Sequence, residues 1–152
     1  MVKSKLSMTA VVSRSDSVDT SYWGSHRPGN PLENPDYTPT IDQLASGRFR
    51  PTDYLEHPEW YLDIQTREDR RIVSILRKVQ GDPDAVVTVY RGSPSDELNT
   101  GDWVTLSRGY AEDYADYEGG KVSEFTARAS EISFDGDDIR EFGYWGKRQR
   151  AR

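Results

Sequence analysis

Three short stretches in the second half of the chain carry the side chains best suited to chemistry. In Tyr90-Arg91-Gly92 an arginine closes a β-branched run and a glycine follows it. A guanidinium presents a planar fork that matches a diphosphate or a carboxylate, and a glycine lets a ligand come close to the backbone. In Gly101-Asp102-Trp103-Val104-Thr105-Leu106-Ser107 two hydroxyls stand at i and i+2. On a strand that spacing puts both on one face, where they can hold a carboxylate or a ribose hydroxyl. In Arg140-Glu141-Phe142-Gly143-Tyr144-Trp145 a glutamate sits within an aromatic stretch. A half-buried carboxylate there needs partners. Taken singly, each stretch reads first as structure. Arg91 is then a surface ion-pair partner, Thr105 and Ser107 are a strand edge and a helix N-cap, and Glu141 is the solvent side of an alternating strand.

The elements that must position these residues follow from local pattern. Ile72, Ile75, Leu76 and Val79 recur at helical spacing, which predicts a helix over 67–80. Thr66 is its cap, Glu68 and Asp69 suit its first turn, Arg77 and Lys78 its last, and Gly81 its end. Residues 85–91 are rich in valine and predict a buried strand. A loop spans 92–101 and a second short strand 102–106. Ser107 caps a helix to about Tyr117, with Tyr110, Tyr114 and Tyr117 on one face and Gly119-Gly120 as the stop. Residues 121–127 alternate as a strand, 131–134 form another, 135–138 turn, and 139–145 make a final aromatic strand. Upstream, the proline-rich 24–39 is a loop, 41–60 is irregular with a turn at 41–45, and Pro58 opens a short helix. Helices and strands mix without regular alternation, so the fold class is α+β.

Composition narrows the chemistry further. The 152 residues are 34% hydrophobic and 30% charged, a low apolar share that the 9 Tyr and 4 Trp partly offset. The expectation is one domain, 21–146, with a modest core, an N-terminal arm at 1–20 and a basic C-terminal tail at 147–152. With no cysteine, disulfides, thiolate metal sites and cysteine nucleophiles are excluded. Two histidines, His26 and His57, make a histidine metal site unexpected, and no metal is assigned. No apolar run reaches the about 20 residues that span a bilayer, and the polar start is unlike a signal peptide. A soluble protein of the cytoplasm without a membrane partner is the expectation. Net charge is −6, and removing the four positive charges of the last six residues leaves −10 for the rest. Such an acidic body disfavours broad nucleic-acid binding, and the basic tail reads as a frayed terminus.

The order of these stretches matters more than any one of them. An arginine ending a Val-Tyr-Arg strand, then Gly-Asp-Trp-Val-Thr-x-Ser leading into a Tyr-Ala helix start, then Glu-x-Gly-Tyr, resembles the mono-ADP-ribosyltransferase superfamily of the arginine–serine–glutamate kind. The likeness is to its small phage and actinobacterial domains. It covers 85–145 well and 22–84 loosely, and Gly24-Ser25-His26-Arg27-Pro28 is similar to an element that precedes some of these domains. The resemblance implies two small packed β-sheets with flanking helices, forming a cleft for NAD+ as co-substrate. It implies that Arg91, with Tyr90 and Gly92, holds the phosphates or the adenylate ribose. Thr105 and Ser107 would brace the site, Tyr110 would stack near nicotinamide or simply pack, and Glu141 would be the catalytic glutamate. Cleaving nicotinamide from ribose passes through an oxocarbenium-like centre that a fixed carboxylate stabilises, without metal or cysteine. Arginine-modifying members carry Glu or Gln two residues before the catalytic glutamate. Ile139 stands there, which argues against an arginine acceptor. The implied activity is transfer of ADP-ribose to an unknown protein or nucleic-acid acceptor in a bacterial cytoplasm, toxin-like or phage-encoded. The alternatives are an NAD+ glycohydrolase and a non-catalytic binding or virion-associated module on the same fold.

Overall fold

The structure, a computed structural model, describes residues 27–33, 35, 38–46, 54–134 and 138–151. The expected arm at 1–20, most of the Gly-x-His-x-Pro element with His26, and most of the 135–138 turn lie outside the described residues. What is described is a small α+β protein with two α-helices and several small antiparallel sheets.

Helix α1, Arg67–Lys78, forms where the apolar spacing puts it. The Thr66 side chain accepts from the Asp69 N–H, and Glu68 and Asp69 supply first-turn negative charge. Its inner stripe, Ile72, Val73 and Leu76, is buried. Strand β1, Val86–Ser93, pairs antiparallel with β4, Lys121–Arg128, from Val86 opposite Arg128 to Ser93 opposite Lys121. In β4 the alternation holds, with Ser123, Phe125 and Ala127 turned inward. Between them lie β2, Glu97–Leu98, β3, Trp103–Val104, and helix α2, Arg108–Glu118. Ser107 is the N-cap of α2, accepting from the Tyr110 N–H, and Gly119 ends it at φ 76°. A 3-10 turn, Ala129–Glu131, leads to β5, Ile132–Ser133, followed by β6, Phe142–Tyr144, and β7, Gln149–Arg150.

Strands β3, β6 and β5 form one antiparallel sheet in that order. Backbone bonds in both directions between Tyr90 and Thr105, at 2.8 and 3.0 Å, join it to β1. The core lies between α1 and these sheets, around Leu76, Val89, Leu106, Ile132, Phe142 and Tyr144.

Four sequence expectations change. Ser107 does not share a strand face with Thr105: regular pairing in β3 ends at Val104, and Ser107 belongs to the helix start. The final strand is shorter than 139–145. The Asp138 carboxylate accepts from the Arg140 N–H and the Asp138 carbonyl from the Glu141 N–H, so a turn holds the chain until Phe142. Glu141 therefore stands at the mouth of β6, not inside it. The basic terminus is not frayed either. β7 pairs with β2, and Arg148 and Arg150 both reach the Glu97 carboxylate, at 2.5 and 2.8 Å. That pairing also breaks the expected 92–101 loop with a two-residue strand.

Gly92 is needed for helix packing. A Cβ there would stand 2.5 Å from the Ala111 carbonyl oxygen and 2.8 Å from the Ala115 nitrogen. Two small residues one turn apart let α2 lie directly on β1 at this glycine. Gly92→Ala is expected to cost about 1–3 kcal/mol through overpacking against backbone that cannot yield. Urea unfolding measures this, and an unchanged midpoint would show that α2 can move off the strand freely.

Candidate functional site

The site is built across three chain segments. In the β3–β6 register Trp103 faces Gly143 and Val104 faces Phe142. Just beyond the last pair, Glu141 enters β6 from its turn, and Thr105 is bridged to Tyr90. Tyr90, Thr105 and Glu141 thus come to line one cavity although 51 positions of sequence separate the first from the last. Helix α2, seated on Gly92, brings Tyr110 against them.

These residues surround a cavity of about 220 Å³. Of the sequence-predicted site residues, Tyr90, Arg91, Gly92, Thr105, Tyr110 and Glu141 line it, and Ser107 does not. Ser107 is buried with both hydroxyl functions committed. It donates to Glu68 Oε1 at 2.7 Å and accepts from the Tyr110 N–H at 3.1 Å. Thr105 accepts from the Ser107 N–H at 3.1 Å and has its hydroxyl proton left to donate among the described residues. Of the two hydroxyls, Thr105 is the one placed to meet a ligand.

Glu141 is 9% exposed. The Tyr110 phenol donates to its Oε2 at 2.7 Å. Burial first, and then the neighbouring negative charge of Glu141, push the Tyr110 phenol far above its ordinary range. Tyr110 therefore keeps its proton and donates, a polar contact that neither sequence expectation for it included. Arg91 is held at two points: Nη1 donates to the Trp103 carbonyl at 2.8 Å, and Nε lies 3.7 Å from Asp102 Oδ2. Asp102 offsets part of the charge that an anionic ligand would meet. The cavity is also lined by Arg27, Trp103 and Tyr114. The spacing of Tyr114 one turn after Tyr110 signalled its face, while nothing in the sequence paired Asp102 with Arg91.

Sequence reasoning also missed the residue that anchors α2. Glu68 Oε1 accepts from the Ser107 hydroxyl and from the Gly109 N–H, at 2.7 and 3.0 Å. These two bonds hold the Glu68 carboxyl below its ordinary value of 4.5. A group with a lowered folded-state value stabilises fully above its unfolded value, and that contribution fades as pH falls through the lowered one. Wild-type thermal stability should therefore drop as the pH falls below the ordinary glutamate range, and Glu68→Gln should flatten that drop. Melting curves from pH 6 to about pH 3 read both, and parallel profiles would remove Glu68 from the account.

Compared with protein-family models, curated proteins and solved structures, the chain matches none.

Proposed function

We propose that the chain cleaves NAD+ and transfers ADP-ribose to a macromolecular acceptor. The observation that carries the reading is the joint presence of Arg91 and Glu141, with Thr105 and Tyr110, around one cavity. In this reading the bond between the nicotinamide nitrogen and ribose C1′ breaks, and nicotinamide leaves with the electron pair. Positive charge then builds on the ribose. Glu141, aimed by the Tyr110 hydroxyl, stabilises that charge and orients the ribose, and Thr105 donates to a ribose oxygen. An acceptor nucleophile then bonds to C1′ and loses its proton. At about 220 Å³ the cavity is below the ~300–1,000 Å³ of pockets for drug-sized ligands. It suits the nicotinamide ring and its sugar, and the diphosphate would run out past Arg91.

Ile139 is 3% exposed and packed in the core, so it offers no polar group to an incoming arginine. That favours another acceptor, or water, over arginine modification. A second reading rests on Arg91. Its hold on Trp103 and Asp102 suits a structural arginine, and with it a non-catalytic binding module.

Incubation with NAD+ labelled in the adenylate half, with and without a bacterial lysate, tests the set. Label on protein or nucleic acid with free nicotinamide supports transfer, and free ADP-ribose alone supports hydrolysis. Calorimetric binding without turnover supports the binding module. Neither binding nor turnover would end the NAD+ reading.

A further inference from the structure

Two consecutive acidic residues in the first turn of α1 grip the two halves of the Tyr110–Glu141 contact separately. Glu68 reaches the start of α2, bonding the Ser107 hydroxyl and the Gly109 N–H, one to three residues before Tyr110. Asp69 reaches the turn before β6. Its two oxygens take Arg140 Nε at 3.1 Å and Nη2 at 2.7 Å, and Arg140 is the immediate neighbour of Glu141. The two grips span 39 and 71 residues of sequence. Both arms are set tightly. Gly109 leaves the space that Glu68 fills, since a Cβ there would stand 3.0 to 3.2 Å from the Glu68 side chain. The Asp69–Arg140 fork is bidentate, and its side chains are 9% and 11% exposed, so it fixes orientation as well as distance. Neither acid lines the cavity.

We propose that Glu68 and Asp69 are positioning residues: one rigid helical turn holds α2 and the pre-β6 turn at the separation that keeps the Tyr110 hydroxyl on the Glu141 carboxylate. Helical geometry makes this possible because adjacent first-turn side chains diverge around the axis, so one turn can serve two directions at once. A catalytic constellation held this way owes its geometry to an element outside the site, and small displacements of such supports cost large factors in rate. The meaning for turnover rests on the NAD+ reading above, but the brace itself does not.

The test reads the contact directly. A buried phenol proton held on a carboxylate exchanges slowly with water and gives its own downfield line in the proton NMR spectrum. The line belongs to Tyr110 if Tyr110→Phe removes it. Glu68→Ala should abolish or broaden that line while core methyl signals stay put. Glu68→Gln, whose amide oxygen can accept the same two bonds, should restore it. Arg140→Lys keeps a charge on Asp69 but loses the fork, and should broaden the line as well. Should Glu68→Ala fail to fold, Gly109→Ala displaces the same carboxylate with less loss. Where wild type turns over NAD+, Glu68→Ala should lower kcat by about tenfold or more, and lower it little further once Tyr110→Phe is present. A purely structural role predicts the same loss in both backgrounds. An unchanged Tyr110 line in Glu68→Ala or in Arg140→Lys, or no such line in wild type, overturns the brace. A wild type with the line but no NAD+ turnover overturns only the proposed function.

Discussion

On the proposed NAD+ reaction, Glu141→Gln is expected to lower nicotinamide release by about 10²–10³-fold, the usual cost of removing one aimed electrostatic group from a buried site. The substitution keeps the shape of the side chain, and the amide oxygen can still accept from the Tyr110 hydroxyl at the 2.7 Å contact. It removes the negative charge and turns one acceptor oxygen into an NH2 donor. Glu141 is 9% exposed, so water does not replace that charge as it would at the surface, and charge developing on the ribose loses its stabilising partner. Burial, the largest cause of the raised Tyr110 phenol, does not depend on the Glu141 charge, so Tyr110 stays protonated in the variant and its donor role survives. The melting temperature should stay close to that of wild type. Nicotinamide release at saturating NAD+ gives the rate, and thermal unfolding gives the control. Equal rates in the two proteins would take Glu141 out of the chemistry. A lost rate with a collapsed melting temperature would make it a folding residue instead.

Much of what positions Glu141 was legible locally. The helical period with Thr66 as cap gave α1 to within a residue or two, the valine run gave β1, and Ser107 with Gly119 bounded α2. Each of those signals is confined to a few neighbouring residues, which is why a single chain displays them. The order arginine, hydroxyl, glutamate named segments that meet, since Arg91, Thr105 and Glu141 line one cavity, with β3 pairing β6 and Thr105 bridged to Tyr90. What stayed hidden depends on partners far apart in the chain. Glu68 and Asp69 looked like ordinary first-turn acids, since the helix dipole accounts for them fully, and nothing local revealed Ser107 or Arg140 as their partners. Ser107 carried the opposite difficulty. Its motif position suggested chemistry, whereas its two hydrogen-bonding functions are spent on Glu68 and on the α2 cap. Gly92 looked like room for a ligand; it does line the cavity, and the sequence did not show that it also seats Ala111 and Ala115 of α2. The basic tail looked frayed because its charges were counted without Glu97, which draws two of them back.

Asp69→Ala should be the most destabilising of the substitutions considered, at about 3–5 kcal/mol. The reason is what it leaves behind. Arg140 is 11% exposed and loses both oxygens of its fork, at 3.1 and 2.7 Å, keeping only Asp138 at 3.6 Å among the described residues. A guanidinium cannot shed its proton to escape burial, so the charge remains and the surroundings must open to hydrate it. The Asp63 N–H, which donates to Asp69 Oδ2 at 2.8 Å, loses its acceptor as well. For a chain of this size, about 2–4 °C per kcal/mol converts the loss to a fall in melting temperature of roughly 6–20 °C. The Arg128–Asp84 pair supplies the contrast. Its side chains are 57% and 80% exposed and 3.7 Å apart, and Asp84→Ala should change stability by no more than about 0.5 kcal/mol. Urea unfolding of the two variants side by side separates the effects: burial, not the existence of an ion pair, sets the size of the loss. If the two variants unfold at the same urea concentration, Arg140 reaches water easily, and the turn that presents Glu141 is held by something other than Asp69.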